Sequence, residues 1–257
     1  MKKRIIFAFI GWQLVLPQPW AQDTANTASS TVPETQAVVV SGLRDPEWKS
    51  YPAMLKGVAA FAEHHQIAPK ADLRFAIIPQ TAATNLIGIT LRIDGKDAAI
   101  PIPVAEDGTF SLPHDAKAAE ENAELIVNRK KGTLRWRPNV RTPQLPQNTR
   151  RLGDLRLECE VRWAVEKDDM SFFDRNAMRL LGGMCSSAGV HVAFATPYPT
   201  LTATIISGAQ REVVRVGKHR NSFIPPLHDR KWPDDALIEF EQAHAEVGDN
   251  QTAPIAK

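Results

Sequence analysis

The stretch 155–163 has the most regular hydrophobic pattern of the chain, and it constrains the fold more than any other segment. Apolar and charged side chains alternate along it without exception. The apolar positions are Leu155, Leu157, Cys159, Val161 and Trp163, and the charged ones are Arg156, Glu158, Glu160 and Arg162. A period of two is typical of a strand with one buried and one solvated face. The pattern therefore predicts a β-strand here.

Shorter β patterns occupy much of the remaining chain. The apolar runs 86–93 and 100–104 flank the polar turn 94–97, which is typical of a hairpin. Pro101 and Pro103 cannot donate to a ladder, so the second of these strands is expected at a sheet edge. Further strand patterns lie at 109–112, 125–127, 133–136, 190–195, 201–206, 211–216 and 236–240. The sequence therefore predicts a mainly β fold, an antiparallel β-sandwich-like arrangement.

Two segments have helical rather than strand spacing. The segment 53–66 repeats apolar residues every three or four positions, and Ser50 is a candidate N-cap. The segment 171–181 opens with Ser171 and Asp174 at capping-box spacing, and a pair of glycines follows it. We expect two short helices, packed against the β core.

A shift of 113 residues aligns turn and strand-start positions of the two halves. It places Gly95 on Gly208 and Phe110 on Phe223. The identities are few, so the sequence allows two tandem β units without establishing them. The expected plan is a flexible lead at 22–44, a helix with a first β-rich unit at 45–150, a second β-rich unit at 151–242 containing the helix 171–181, and a disordered tail at 243–257.

The segment 1–21 has the layout of a secretory signal peptide. Three cations at positions 2–4 precede the apolar run 5–16, Pro17 breaks that run, and Ala21 offers a small residue at the cut. The alternative is a membrane anchor, but a span needs about 20 apolar residues. We therefore expect a cleaved leader and a periplasmic or secreted protein with no transmembrane span in its mature chain.

The expected leader affects how the net charge and the two cysteines are interpreted. The chain has 31 Lys and Arg against 29 Asp and Glu, and three of these cations lie in the leader. The remainder is close to neutral, which gives no argument for nucleic-acid binding. Cys159 and Cys185 are the only cysteines, and an oxidising compartment favours a disulfide between them. The chain-entropy treatment values such a bridge at about 3.5 kcal/mol. The alternative is a pair of buried free thiols.

The familiar catalytic signatures are missing from the sequence. It contains no G-x-S-x-G, S-x-x-K, H-E-x-x-H or C-x-x-C pattern and no phosphate-binding loop. Its histidines do not stand at the spacing of a ligand pair. We therefore expect no metal and no cofactor. The best enzyme candidate is the loop 225–235, in which His228 and Asp229 are weak catalytic candidates. Its structural alternative is a turn whose charges pair locally while Trp232 fills the core edge.

The segment 129–151 is the candidate binding surface, because it is rich in cations and contains no Asp or Glu. The candidate binding residues are Arg129, Lys130, Lys131, Arg135, Arg137 and Arg141, with Arg150 and Arg151 completing the set. Arg135 and Arg137 are expected on one strand face and Trp136 on the other. Guanidinium groups bind phosphate and carboxylate with two hydrogen bonds. The alternative is that acidic neighbours neutralise the segment within the fold.

The sequence thus favours a non-enzymatic envelope protein that binds or scaffolds an anionic envelope component. Lipid head groups, phosphorylated glycans and peptidoglycan carboxylates are the abundant anions there. One alternative is an envelope hydrolase that uses the loop 225–235. Another is a carbohydrate-binding module in which Trp48, Trp136 or Trp232 stacks on a sugar.

The leader expectation predicts that the exported protein begins near Gln22. Intact-mass measurement and N-terminal sequencing of protein recovered from the export compartment test this. Recovery of folded, exported protein that still begins at Met1 would contradict it.

Overall fold

The structure is a computed structural model that describes residues 43–243 apart from positions 82 and 98. The leader, most of the lead at 22–44 and nearly all of the tail at 243–257 lie outside the described residues. Strands account for 34% of the structure and helices for 23%. The predicted mainly β, antiparallel fold is confirmed.

The elements follow one another in this order. The strands are β1 (Pro46–Ser50), β2 (Asp72–Pro79), β3 (Leu91–Asp94), β4 (Ala99–Ile102), β5 (Thr109–Phe110), β6 (Glu124–Lys130), β7 (Leu134–Arg141), β8 (Thr149–Arg151), β9 (Phe194–Ala195), β10 (Thr200–Ser207), β11 (Gln210–Val216), β12 (Ser222–Ile224) and β13 (Leu237–Gln242). The helices are α1 (Tyr51–His64), α2 (Ala116–Glu120), α3 (Leu152–Glu166) and α4 (Phe172–Leu180), and a 3-10 turn covers His65–Ile67.

The first unit is built on the antiparallel sheet β1-β6-β3-β4. The predicted hairpin is confirmed as β3–β4. The strand β4 lies at the edge of the sheet, as predicted, because Pro101 has no N–H to donate to a neighbouring strand. The predicted first helix is confirmed as α1. Its N-cap is Ser50, whose hydroxyl accepts from the Ala53 N–H at 3.3 Å. A second small sheet, β5-β2-β7, completes this unit.

The second unit repeats this plan in the sheet β8-β13-β10-β11-β12-β9. Its first four strands correspond in order to β1-β6-β3-β4, and α3 follows β8 directly as α1 follows β1. The pairing register also corresponds, because Ser50 lies opposite Glu124 and Arg151 lies opposite Leu237. The strand order of the first sheet therefore recurs in the second, at positions that the 113-residue shift aligns for β3, β4 and β6.

The strand predicted at 155–163 is wrong, because these residues belong to α3. Leu155 and Cys159 pack in the core of the second unit, whereas Leu157 and Val161 pack in the core of the first. Each pair has the i, i+4 spacing of one helix face. Since α3 is buried between the two cores, its two apolar stripes together produce an alternation that imitates a half-buried strand.

The polar side chains of α3 close the free edge of β7. Glu158 accepts from the Val140 N–H at 3.0 Å, and Asp154 accepts from the Thr142 N–H at 2.7 Å. Arg150 donates to Glu158 at 2.7 Å and to the Val140 carbonyl at 3.1 Å. This buried ion pair therefore satisfies both backbone groups of Val140, as a neighbouring strand would.

The predicted disulfide is confirmed. Cys159 of α3 is bonded to Cys185, with 5.7 Å between the two Cα atoms. The bridge ties the segment after α4 to the buried helix. The predicted helix at 171–181 is confirmed as α4, although none of its residues is buried. Among the helices within residues 43–243, none combines the length and apolarity that a bilayer span requires.

Glu158→Ala is expected to lower the free energy of unfolding by about 3–5 kcal/mol, because it leaves Arg150 buried and uncompensated. Urea denaturation followed by circular dichroism measures this. Glu239→Ala, on an exposed position of β13, is the matched control and is expected to change stability by less than about 0.5 kcal/mol. Equal urea midpoints for Glu158→Ala and Glu239→Ala would mean that the ion pair does not stabilise the edge of β7.

Candidate functional site

The loop 225–235, which contains the weak catalytic candidates, is organised by a buried arginine. The guanidinium of Arg156 donates to the carbonyls of Leu227, Asp229 and Trp232 at 2.9, 2.9 and 3.1 Å. It also donates to the Asp234 carboxylate at 2.5 Å. Arg156 belongs to α3, so the same helix that closes the β7 edge also holds this loop.

The side chains of the loop are engaged locally. Asp229 accepts from the Lys231 N–H at 3.0 Å, and this hydrogen bond lowers the pKa of the Asp229 carboxyl below its ordinary value. Lys231 itself reaches Glu212 at 2.7 Å. Trp232 is 2% exposed and packs in the second core. This arrangement favours the structural interpretation of the loop over a catalytic role for His228 and Asp229.

Three outer cations of the segment 129–151 have partners that fit a structural role. Arg129 donates to the Ile87 carbonyl at 2.6 Å, and Arg141 donates to the Thr149 carbonyl at 3.0 Å. Lys130 ends β6, and Lys131 lies over the ring of Trp48, 5.8 Å from its centroid.

The central cations of the segment lie together on β7. Arg135 is exposed and Arg137 half-buried, while Trp136 between them is 9% exposed and donates its Nε1–H to Glu47 at 3.1 Å. The two arginines therefore share one strand face and the tryptophan takes the other, as the alternation predicts. Arg137 also donates to the Trp136 carbonyl at 2.8 Å.

Arg135 and Arg137 line a cavity of about 120 Å³, which we call the β7 cleft. It lies between β7, β1 and the ends of α1 and α3. Its lining is apolar at the floor and charged at the rim: Lys49, Met54, Phe75, Arg135, Trp136, Arg137, Pro138, Arg162, Val165 and Glu166. The structure thus brings two predicted binding residues together with cations from distant parts of the sequence.

Positive charge exceeds negative charge in the β7 cleft. Arg137 and Arg162 share the single carboxylate of Glu166, each at 3.0 Å. Arg135 forms no ion pair with any carboxylate among the described residues, and Lys49 is paired with Asp169 at 2.5 Å. Burial and then the charge of Arg162 lower the pKa of Arg137. The cluster therefore lacks negative charge, which an anionic ligand would supply.

The backbone of β7 adds a donor to the cleft. The N–H groups of Val140 and Thr142 point to the free edge of the strand, and N–H directions alternate along a strand. The Trp136 N–H therefore points to the same edge, beside the cleft, and Pro138 between them has no donor. A backbone N–H next to guanidinium groups is a suitable partner for an anionic oxygen.

Sequence reasoning missed Arg162, Glu166 and Lys49 as site residues. Arg162 was assigned to the solvated face of a strand that is in fact α3. A helical interpretation would have placed Arg162 and Glu166 together at i, i+4. Lys49 carries no local signal, because only the fold brings β1 to this end of α3.

A smaller cavity of about 50 Å³ lies near the disulfide, with Glu160, Arg156, Cys185 and Arg230 among its lining residues. Its volume suits a few water molecules rather than an organic ligand. Burial raises the pKa of Glu160, the negative charge of Glu63 adds to this, and His64 opposes it.

Across the described ranges, no group of three or more His, Cys, Asp or Glu side chains is arranged to hold a metal ion. Comparison with known protein families, with curated proteins and with solved structures finds no significant match to this chain. The function must therefore be argued from the residues of the chain itself.

Glu160→Gln is expected to raise the melting temperature at pH 7. The raised pKa of Glu160 means that the folded state disfavours the charged carboxylate, so this penalty is present at pH 7 and disappears below about pH 4. Thermal denaturation at both pH values measures the gain, with Glu106→Gln at an exposed loop position as the control. A gain of equal size at both pH values would contradict the assignment.

Proposed function

We propose that this chain is an exported, non-enzymatic binding protein that recognises an anionic component of the cell envelope through the β7 cleft. The observation that carries the proposal is the placement of Arg135, Arg137 and Arg162 around one carboxylate and an apolar floor. Such a cluster attracts phosphate or carboxylate groups, which arginine binds with two parallel hydrogen bonds.

Two features support a location outside the reducing cytoplasm. The segment 1–21 has the layout of a signal peptide. The disulfide between Cys159 and Cys185 suits an oxidising compartment, where such bridges form and persist. We therefore place the protein in the periplasm or outside the cell.

The size of the β7 cleft limits what enters it. Sites for complete small ligands usually measure about 300–1,000 Å³, whereas this cleft measures about 120 Å³. One anionic group with a compact apolar neighbour fits this volume. The partner is therefore a larger molecule or surface that presents one such group, and binding rather than chemical conversion fits the site.

The alternatives have weaker support. A hydrolase at the loop 225–235 requires an acid–base pair, but Asp229 is held by Lys231. A sugar platform requires an open aromatic face. Trp136 and Trp232 are buried, and Lys131 lies over the ring of the more exposed Trp48.

Arg135→Glu is expected to weaken retention on isolated envelope material roughly tenfold at low salt, because it replaces attraction by repulsion at the cleft rim. High salt is expected to reduce retention of the wild-type protein as well. A pull-down with quantified bound fractions measures both effects. Arg211→Glu makes the same charge change at an exposed position of β11 and is the control. Equal retention of wild type and Arg135→Glu at low salt would remove the β7 cleft as the binding site.

A further inference from the structure

The helix α4 presents large apolar side chains to solvent. The exposed fractions are 65% for Phe172, 83% for Phe173, 89% for Leu180 and 53% for Leu181, which directly follows the helix. The half-buried positions of the helix include Arg175 and Met178. The helix thus turns an apolar face outward, the reverse of the usual orientation on a globular protein. A contiguous exposed patch of this kind marks an interaction surface.

The helix α4 is held in place at both ends. Asp168 pairs with Lys56 of α1 and accepts from Arg175 at 3.3 Å, and Ser171 caps the first turn by accepting from the Asp174 N–H at 3.1 Å. The disulfide at Cys185 anchors the chain beyond the helix. These contacts keep the apolar face directed away from the protein.

The segment that leads into α4 borders the β7 cleft. Lys49 lines the cleft and also pairs with Asp169 in the segment that leads into α4. Glu166, another lining residue, ends α3 just before that segment. The residues that line the cleft, the segment 167–171 and α4 therefore lie next to one another along the structure, and together we call them the α4–cleft surface.

The α4–cleft surface has an excess of positive charge. Its cations outnumber its carboxylates by seven to four. The cations are Lys49, Arg135, Arg137, Arg162, Lys167, Arg175 and Arg179, and the carboxylates are Glu166, Asp168, Asp169 and Asp174. A partner that fits this surface is both apolar and anionic. A second copy of the chain would bring two positive surfaces together, which disfavours self-association.

We propose that the α4–cleft surface docks on an anionic phospholipid bilayer, with α4 lying in the interfacial layer and the β7 cleft receiving a head-group phosphate. Interfacial helices bury Phe and Leu at the boundary between head groups and acyl chains, and nearby cations attract anionic lipids. This proposal rests on the proposed function and identifies its anionic partner as phospholipid.

Co-sedimentation of the exported protein with lipid vesicles tests the proposal. The two vesicle types are pure phosphatidylcholine and an equimolar mixture of phosphatidylcholine and phosphatidylglycerol. Wild type is expected to bind the anionic vesicles, and Phe172→Ser/Phe173→Ser to bind them roughly tenfold more weakly. Ile87→Ser/Val213→Ser is the matched control, because those side chains are 84% and 70% exposed on other elements. Its binding is expected to equal that of wild type.

A parallel sedimentation with isolated peptidoglycan separates this proposal from the proposed function. Arg135-dependent binding to peptidoglycan without binding to anionic vesicles would overturn the lipid assignment and leave the anion-binding function standing. Equal vesicle binding by wild type and the α4 variant would also overturn it. Size-exclusion chromatography with light scattering covers the remaining outcome. If wild type forms a dimer that the α4 variant does not form, and wild type does not bind vesicles, the lipid assignment is overturned. The apolar face of α4 would then be a contact between two copies of the chain.

Discussion

The fold depends on the placement of charged side chains within α3, the helix between the two cores. Asp154 and Glu158 supply acceptors to the free edge of β7, and Arg156 supplies donors to the loop 225–235. An unpaired strand edge and a buried loop would each leave backbone groups without partners, at a substantial cost in free energy. One helix removes both costs, and it can do so only because its charged residues are buried with their partners in place.

This edge closure also determines where the β7 cleft can lie. Glu158 and Asp154 occupy the edge at Val140 and Thr142, so that half of β7 is inaccessible to a ligand. Pro138 interrupts the row of donors, and beyond it the edge at Trp136 borders the cavity. The binding candidate is therefore the part of the edge that α3 leaves open, close to where the helix ends at Glu166.

Local patterns predicted the elements whose environment is simple. The β3–β4 hairpin, the edge position of β4, the helix α1 and the disulfide all depend on turn chemistry, a missing donor, a cap or the pairing of two cysteines. The pattern of α3 misled because hydrophobic alternation assumes one buried face, whereas Leu155 and Leu157 are both buried against different cores. The site was predictable only in part for a similar reason. Arg135 and Arg137 were predicted because they share one strand, whereas Arg162 and Lys49 come to the cleft only through the tertiary fold.

The repeated topology explains how one position serves two purposes. Lys49 faces Leu125 in the first sheet and Arg150 faces Ile238 in the second, so the two cations occupy equivalent places before their helices. In the second unit the cation is buried and neutralised by Glu158, where it completes the edge of β7. In the first unit Lys49 remains partly exposed, lines the cleft and pairs with Asp169 before α4. Arg150 meets α3 at Glu158, in the middle of the helix, whereas Lys49 lies beside its C-terminal residues Val165 and Glu166. The repeated plan therefore produces a closed edge along the helix and a charged cleft where the helix ends.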